Sequence, residues 1–255
     1  MILESRAVGF RYGRQLAVED VSLVLKPGVM AIIGPNGSGK STLMKCLAGL
    51  LHGTGHVALD GQDVSKLPTS QLTRLVSYMP QEFSSKAAIS VFEAVLLGRL
   101  QQLGLRIRDE DVLAVESLLD ELDLRCLANR WIAELSGGQA QLVAIAQALA
   151  REPVVLLMDE PTSNLDLRRQ FEVCELVRRI TDSRKMSTAI ALHDLNLAAR
   201  CADTICVLSE GRLHSVGPPL KVITREMVES VYRVDARIDL EEGRIPIVTI
   251  RGVAR

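Results

Sequence analysis

The segment Gly34–Thr42 constrains this chain more than any other part of its sequence. Its residues, GPNGSGKST, fit the phosphate-binding pattern G-x-x-x-x-G-K-[ST]. The apolar run Val29–Ile33 precedes the segment, and the helix-compatible stretch Leu43–Leu50 follows it. Because this strand–loop–helix order aims backbone N–H groups and a helix N-terminus at one anion, we predict an α/β domain that binds a nucleotide.

The residues of this phosphate loop are expected to contribute in different ways. Glycines let the backbone approach a phosphate without a Cβ clash, Lys40 brings a charge to the β- and γ-phosphates, and the Ser41 hydroxyl is a predicted ligand of Mg²⁺. The loop residues predicted to bind the nucleotide are Gly34, Pro35, Asn36, Gly37, Ser38, Gly39, Lys40, Ser41 and Thr42. The alternative is a glycine-rich turn that contains Lys-Ser by chance, and it leaves the flanking strand and helix unexplained.

The composition is typical of a globular protein and disfavours several other classes. Of the 255 residues, 47% are hydrophobic and 24% are charged, and the net charge of -1 gives no overall basic footprint for nucleic acid. The five cysteines match no zinc pattern, so we expect reduced thiols in a cytosolic protein. Glu4 and Arg6 interrupt the region where a signal peptide would be apolar, and no apolar run approaches the ~20 residues of a membrane span.

Polar residues follow several of the predicted strands. Val154–Met158 is a continuous apolar run, which is typical of a strand buried on both faces, and Asp159 and Glu160 follow it directly. Gln81 and His193 also come after predicted strands. Because ligands bind beyond the carboxyl ends of parallel strands, we expect these residues to meet the phosphate loop at one edge of the sheet.

The two adjacent carboxylates suit different roles. Asp159 is a predicted ligand of Mg²⁺ opposite Ser41, whereas Glu160 points in another direction and is a candidate general base for a water that attacks the γ-phosphate. A solvated Asp-Glu turn is the alternative, which the preceding apolar run and the following Pro161 disfavour.

Three further candidates are ambiguous from their residues alone. A lone histidine after a strand, such as His193, is more often a structural hydrogen-bonding residue, and a glutamine after proline, such as Gln81, is commonly part of a loop. Tyr12 has an aromatic ring that would stack on adenine, but an aromatic residue on an early strand is more often core. Phe10 shares its strand face and is the better core candidate.

The sequence LSGGQ at residues 135–139 predicts a second anion site. Ser136, Gly137, Gly138 and Gln139 stand at the start of a predicted helix, where N–H groups, a hydroxyl and the helix dipole all favour an anion. Because only one loop carries a lysine, we infer that this second site serves the nucleotide of another copy, in a head-to-tail pair with twofold symmetry. An N-capped helix turn without a ligand is the alternative.

With both glycine motifs, the chain resembles the nucleotide-binding subunits of ABC (ATP-binding cassette) transporters from Tyr12 to about Val234. The resemblance implies an α/β fold with a P-loop NTPase core, which has a mostly parallel sheet, an antiparallel β subdomain and an inserted helical subdomain. It divides the single domain 1–255 into three parts. These are a nucleotide-binding core at 1–88 and 151–217, a helical signature subdomain at 89–150, and a C-terminal appendage at 218–255.

The same resemblance implies a role for each nucleotide motif. Residues 34–42 look like the Walker A loop, and Gln81 looks like the Q-loop glutamine, which touches Mg²⁺ and senses the membrane subunit. Residues 135–139 look like the signature motif, which caps the γ-phosphate bound to the partner copy.

The remaining motifs are assigned through the resemblance as well. Residues 154–160 look like Walker B, with Glu160 as the catalytic carboxylate, and residues 163–166 look like the D-loop. His193 is similar to the switch histidine that contacts the γ-phosphate, and Tyr12 matches the adenine-stacking aromatic residue. The predicted catalytic residues are thus Glu160, His193 and Gln81, and the predicted metal ligands are Ser41, Gln81 and Asp159.

Finer features resemble the importer ATPases that serve ferric siderophores, haem and cobalamin, with the ferric-siderophore branch the most similar. They lie at residues 94–100, 192–203 and 222–238. The chain also departs from the family pattern, as arginines common in the family are replaced at Ala140, Leu142 and Gln147, and Asn164 stands where alanine is frequent. None of these changes removes a catalytic group, so we expect an active ATPase.

The resemblance implies the ATP-hydrolysing motor of an importer, with ATP and Mg²⁺ as cofactors. Two copies would close on two ATP molecules and drive separate transmembrane permease subunits at the cytoplasmic face of the inner membrane, with a substrate-binding protein as an indirect partner. The alternative is an ABC-type ATPase that acts on DNA or ribosomes, which usually carries a long coiled coil or a second cassette that this sequence lacks. A P-loop nucleotide kinase would leave LSGGQ unexplained.

Overall fold

The computed structural model describes residues 1–81, 88–99, 107–163, 165–241 and 245–253. Within these ranges the strands are β1 (Leu3–Tyr12), β2 (Gln15–Leu25), β3 (Gly28–Ile33), β4 (Thr54–Leu59), β5 (Gln62–Asp63), β6 (Val76–Met79), β7 (Val155–Asp159), β8 (Ser187–Ala191), β9 (Thr204–Ser209), β10 (Arg212–Gly217), β11 (Val234–Glu241) and β12 (Ile245–Val253). The α-helices are α1 (Lys40–Leu47), α2 (Thr69–Leu75), α3 (Val91–Arg99), α4 (Asp109–Glu121), α5 (Gly137–Leu149), α6 (Leu167–Arg184), α7 (Leu195–Cys201), α8 (Pro219–Val222) and α9 (Arg225–Tyr232).

A six-stranded sheet forms the centre of the fold. Its strand order is β10-β9-β3-β8-β7-β6, in which β10 is antiparallel to β9 and the other neighbours are parallel. Every residue of β7 and β8 is buried, as expected for apolar runs inside a parallel sheet. The prediction of an α/β fold with a mostly parallel sheet is therefore confirmed.

A smaller antiparallel sheet, with strand order β2-β1-β4-β5, packs beside the central one. Gly13 and Arg14 form the turn between its first two strands, and Lys26 and Pro27 lead from β2 into β3. This sheet is the predicted antiparallel subdomain, and it places Tyr12 at the end of β1.

The central sheet separates two hydrophobic clusters. One cluster contains α1 and the antiparallel sheet, and the other contains α3, α5, α6, α9 and the C-terminal hairpin. Because side chains of a strand alternate between faces, β7 contributes to both. Val155 and Leu157 belong to the cluster with α1, whereas Leu156 and Met158 belong to the cluster with α5.

The part of the chain that the resemblance assigns to a helical subdomain, 89–150, contains α3, α4 and α5, while residues 100–106 lie outside the described residues. The division of the chain into core, helical subdomain and appendage stays a prediction. Three short helices, α2, α7 and α8, are not predicted by hydrophobic periodicity, because seven- and four-residue helices are too short to show it. Among the described helices, none is long and apolar enough to cross a membrane, and the five cysteines are free.

Helices α3 and α5 approach each other closely at Gly98. A Cβ atom added to Gly98 would lie 2.4 Å from the backbone oxygen of Gln147. We predict that Gly98→Ala lowers the free energy of unfolding by about 1–3 kcal/mol, the usual cost of overpacking, in chemical denaturation. The matched control is Gly252→Ala in β12, where the added Cβ would meet no heavy atom within 4 Å. Equal stability of both variants would contradict the close approach.

Candidate functional site

Four neighbouring strands of the central sheet end at one edge, and each is followed by a predicted site feature. In spatial order these strands are β3, β8, β7 and β6, and they run parallel. The phosphate loop follows β3, His193 follows β8, Asp159 ends β7 with Glu160 directly after it, and Gln81 follows β6. The sequence prediction that these features meet at one sheet edge is therefore borne out by the topology.

Glu160 lies between the side chains of Gln81 and His193. Gln81 Nε2 donates a hydrogen bond of 2.6 Å to Glu160 Oε2, and His193 Nε2 contacts Glu160 Oε1. Glu160 is 8% exposed, whereas Gln81 is exposed and the His193 side chain is 44% exposed. The structure thus brings the three predicted catalytic residues into one cluster, with its acid buried and its other two groups reachable from solvent.

The backbone of Glu160 turns sharply away from β7. Its φ is 53°, in the left-handed region that residues other than glycine adopt infrequently, and the backbone N–H of Ser163 donates to the Glu160 carbonyl at 3.1 Å. This turn separates the Glu160 carboxylate from that of Asp159. The two acids therefore face different partners, as the sequence predicts.

Both carboxylate oxygens of Asp159 accept hydrogen bonds. Ser41 Oγ donates to Oδ1 at 3.0 Å, and the Tyr78 hydroxyl donates to Oδ2 at 3.1 Å. Burial and the charge of Asp159 both raise the pKa of Tyr78, so this phenol stays a neutral donor. Sequence analysis did not predict a role for Tyr78, and its position next to the last residue of the edge strand β6 is the one signal for it.

Lys40 lies inside the phosphate loop. Its Nζ donates to the carbonyl oxygens of Gly34 at 2.9 Å and Pro35 at 3.1 Å, and the residue is 4% exposed. Burial lowers the pKa of Lys40, and the charges of Glu160 and Asp159 oppose that shift. The ammonium is thus a fixed cation on the loop, facing the two acids.

The phosphate loop is tightly supported on the side of the sheet. A Cβ at Gly34 would lie 2.2 Å from the Leu208 carbonyl oxygen, and a Cβ at Gly39 would lie 2.4 Å from that of Ala17. Ser38 Oγ is buried and has no hydrogen-bond partner among the described residues. A polyphosphate would satisfy this hydroxyl and the loop N–H groups, and the oxygens of Ser41 and Asp159 are ligands that suit Mg²⁺.

Tyr12 projects from the end of β1 and is 50% exposed. Its ring packs edge-on against Phe10, with ring centroids 4.9 Å apart, and Phe10 is the less exposed of the two. This agrees with the expectation that Phe10 is the better core residue. No hydrogen bond links Tyr12 to the phosphate loop in the described part of the chain, so its contact with adenine stays a prediction.

The LSGGQ segment forms the N-terminus of α5. Gln139 N donates to Ser136 Oγ at 3.4 Å, and Ser136 N donates to Gln139 Oε1 at 3.1 Å, which is a capping box. Ser136 and Gly137 are exposed. Helix α5 packs on α3 and β6, whereas α1 packs on β1, β2 and β7. The structure does not bring the two predicted anion sites together within one chain.

The departures from the family pattern occupy α5 and the D-loop region. Ala140 and Leu142 are half-buried, and Leu142 packs against the larger hydrophobic cluster. Gln147 supplies the carbonyl that faces Gly98. Asn164 lies outside the described residues, while Asp166 of the predicted D-loop caps α6 by accepting a 2.9 Å hydrogen bond from Arg169 N.

Comparison with known proteins identifies relatives of this arrangement. Residues 18–163 match the family described as ABC transporter. The chain is 37% identical to the hemin import ATP-binding protein HmuV of Pseudomonas entomophila (strain L48), over 97% of this chain and 100% of the relative. It is 35% identical to the iron(3+)-hydroxamate import ATP-binding protein FhuC of Bacillus subtilis (strain 168), over 92% and 89% of the two chains.

Solved structures with the same fold include two informative examples. An inward-facing ABC transporter described as being of the metal-chelate type superposes with a TM-score of 0.84 and 27% identity, over 99% of this chain and 98% of that one. The dimeric structure of the bacterial ABC transporter cassette MJ0796 has a TM-score of 0.74 and 27% identity, over 85% and 98% of the two chains.

The position of Lys40 predicts a strong effect of its removal. We expect Lys40→Ala to abolish measurable ATP binding in calorimetry, because the variant loses the buried cation of the predicted phosphate loop. Lys45→Ala is the matched control, since Lys45 lies on the same helix without contacting the loop carbonyls. Unchanged ATP affinity in Lys40→Ala would contradict the assignment of the loop.

Proposed function

Because this chain belongs to the ABC transporter family, in which it is an ATP-binding subunit with ATPase activity, we propose that it drives an importer of an iron chelate. In this proposal two copies close on two ATP molecules and act on separate permease subunits. The complex lies at the inner membrane, with this subunit on the cytoplasmic face and a substrate-binding protein outside. Relatives that are named as import proteins favour this function over an ATPase that acts on DNA or ribosomes.

The observation that carries the proposal is the separation of the two anion sites within the chain. The phosphate loop supplies a lysine and N–H groups, while the Ser136–Gly138 turn, in which Ser136 and Gly137 are exposed, supplies only a capped helix N-terminus. A second copy in a head-to-tail arrangement would bring the turn of one chain to the loop of the other. The dimeric cassette that shares this fold supports such an assembly.

The glycine at position 137 also supports the proposal that a second copy binds at this turn. Gly137 has no positive φ, and a Cβ added to it would meet no heavy atom of its own chain within 4 Å. The fold of the single chain therefore does not require glycine here. Close approach of a phosphate bound to another copy would require it.

The residues at the sheet edge support hydrolysis of ATP. Glu160 would accept a proton from the attacking water, with one carboxylate oxygen held by the hydrogen bond from Gln81 and the other in contact with His193. Lys40 stabilises the negative charge of the β- and γ-phosphates, and Ser41 and Asp159 would hold Mg²⁺. When bound, Mg²⁺ neutralises part of the phosphate charge. Closure and reopening of the pair then form a two-state switch that the γ-phosphate biases.

We predict that Glu160→Gln keeps ATP binding but lowers the hydrolysis rate roughly 10²–10⁴-fold, the usual contribution of a general base. Because ATP then persists, the variant should form an ATP-dependent dimer in size-exclusion chromatography with light scattering. Glu175→Gln is the control, since Glu175 is exposed near the middle of α6 and takes no part in the contacts of Glu160. Wild-type turnover in Glu160→Gln would contradict the role of this acid.

The second arm of this experiment introduces Gly137→Asp into the Glu160→Gln chain. An acidic residue at the first position of α5 interacts favourably with the helix dipole, and its Cβ would meet no neighbouring atom. The single chain of this variant should therefore remain folded. The added charge would face the γ-phosphate of the partner, and we expect the ATP-dependent dimer to disappear while ATP still binds. A dimer that persists would contradict the shared site.

The cargo is tested with the assembled transporter, because the cargo does not contact this subunit. The complex purified with its permease would be reconstituted with a binding protein loaded with a ferric siderophore, haem or cobalamin. We expect the ferric siderophore to stimulate ATPase activity most. Stimulation by none of the iron chelates would contradict the cargo class while leaving the ATPase assignment intact.

A further inference from the structure

The C-terminal segment ends in a hairpin that joins no larger sheet. Strands β11 and β12 pair only with each other in the described part of the chain. A two-stranded hairpin alone is only marginally stable, so it depends on the elements against which it packs. These elements include α7, α8 and α9. Helix α7 matters for the site, because it begins shortly after His193.

The position of His193 depends on the residues that flank it. Within the described residues, the backbone of His193 makes no hydrogen bond to another backbone group. On one side, Leu192 donates its backbone N–H to the Ile32 carbonyl at 3.0 Å, which holds it to β3. On the other side, Asp194 is the N-cap of α7. The imidazole that contacts Glu160 is thus carried between the sheet and the first turn of α7.

The first turn of α7 is fixed to its cap. The Asp194 carboxylate accepts hydrogen bonds from Asn196 N at 2.7 Å and Leu197 N at 2.9 Å, so a movement of α7 would also move the residue next to His193. A seven-residue helix is too short to be stable in isolation. Apolar burial holds α7 to the larger hydrophobic cluster, through Leu197, Ala198, Ala199 and Cys201.

The Asn196 side chain joins this first turn to the hairpin. It donates to the Val248 carbonyl at 3.1 Å and accepts from Val248 N at 2.7 Å, so the amide imitates a neighbouring strand for β12. Apolar burial is non-directional, whereas hydrogen bonds weaken steeply when their angles change. The pair of bonds therefore fixes the rotation and the height of the first turn of α7, which burial alone leaves free.

A second contact joins the two elements at the other end of α7. Arg200 Nη2 lies 2.6 Å from Glu241 Oε2, and the two side chains are 36% and 39% exposed. Ion pairs with this much exposure contribute little, because solvent screens them. Asn196 is thus the stronger tether, and it is also the one nearer to His193.

We propose that Asn196 is a positioning residue for ATP hydrolysis, whose two hydrogen bonds with β12 hold the first turn of α7 and keep the His193 imidazole against Glu160. The C-terminal hairpin is then part of the support of the hydrolytic site. The inference rests on the proposed function in that it takes His193 as a group that assists hydrolysis at Glu160. The alternative is that Asn196 serves the hairpin alone, by satisfying the backbone of the buried Val248.

The first test is Asn196→Ala in the full chain, with ATP turnover as the readout. We expect kcat to fall about three- to tenfold, the effect of roughly one neutral hydrogen bond, while KM changes less than about twofold because the phosphate loop is untouched. Asn196→Asp keeps an acceptor for Val248 N and loses the donor, so its kcat should lie between the two. Thr249→Ala is the matched control, since Thr249 is the exposed neighbour of Val248 and leaves both bonds in place.

A double-mutant cycle with His193→Ala separates positioning from a general loss of stability. If Asn196 acts through His193, adding Asn196→Ala to the His193→Ala chain should lower kcat less than about twofold further. A hairpin role alone predicts either an unchanged kcat in Asn196→Ala or losses that multiply in the double variant. Both of those results would overturn the inference.

The NMR signal of the His193 imidazole C–H group gives a readout that does not depend on turnover. The signal is identified by its loss in His193→Ala. It should shift or broaden in Asn196→Ala and stay unchanged in Thr249→Ala, and an unchanged signal in Asn196→Ala would overturn the inference. Wild-type kcat in His193→Ala would instead contradict the role of His193 in the proposed function, and the imidazole signal would still report whether Asn196 holds the ring.

Discussion

The site depends on the parallel alignment of β6, β7 and β8. Because β7 lies between the other two, the acid at its end faces Gln81 on one side and His193 on the other. The alignment is fixed by apolar residues that have no part in chemistry, since both faces of β7 are buried. A shift of one residue in register would move each strand end by about 3.3 Å and break the hydrogen bond of Glu160 with Gln81.

The electrostatic arrangement follows from this alignment. A buried cation, Lys40, is opposed by two buried acids, Asp159 and Glu160, and the neutral phenol of Tyr78 holds one acid in place without adding charge. Charges in such a site are costly to bury unless they are paired or solvated by fixed dipoles. Here the loop carbonyls, hydroxyls and amide provide those dipoles, so the site needs little rearrangement when a charged substrate enters.

Much of this was predictable from the sequence because the informative signals are local. A few consecutive residues are enough to recognise the phosphate loop, the apolar run before Asp159 and the LSGGQ turn. The fold that these motifs predict is confirmed. The roles of Gln81 and His193 were ambiguous from the sequence, since they depend on which strands are neighbours in the sheet. Tyr78 was missed because its hydrogen bond joins residues that are distant along the chain, and no periodic pattern reports such a contact.

The two hydrophobic clusters have a mechanical consequence. The antiparallel sheet and α1 share one compartment, and the signature helix α5 shares the other with the C-terminal hairpin. Close-packed interiors resist compression, so each compartment will respond to force as a stiff block. The central sheet separates the two clusters, and polar side chains from the elements of both clusters meet at the carboxyl ends of its strands. A force applied to one cluster would therefore reach the other through the polar contacts at that edge, and not through the apolar interior.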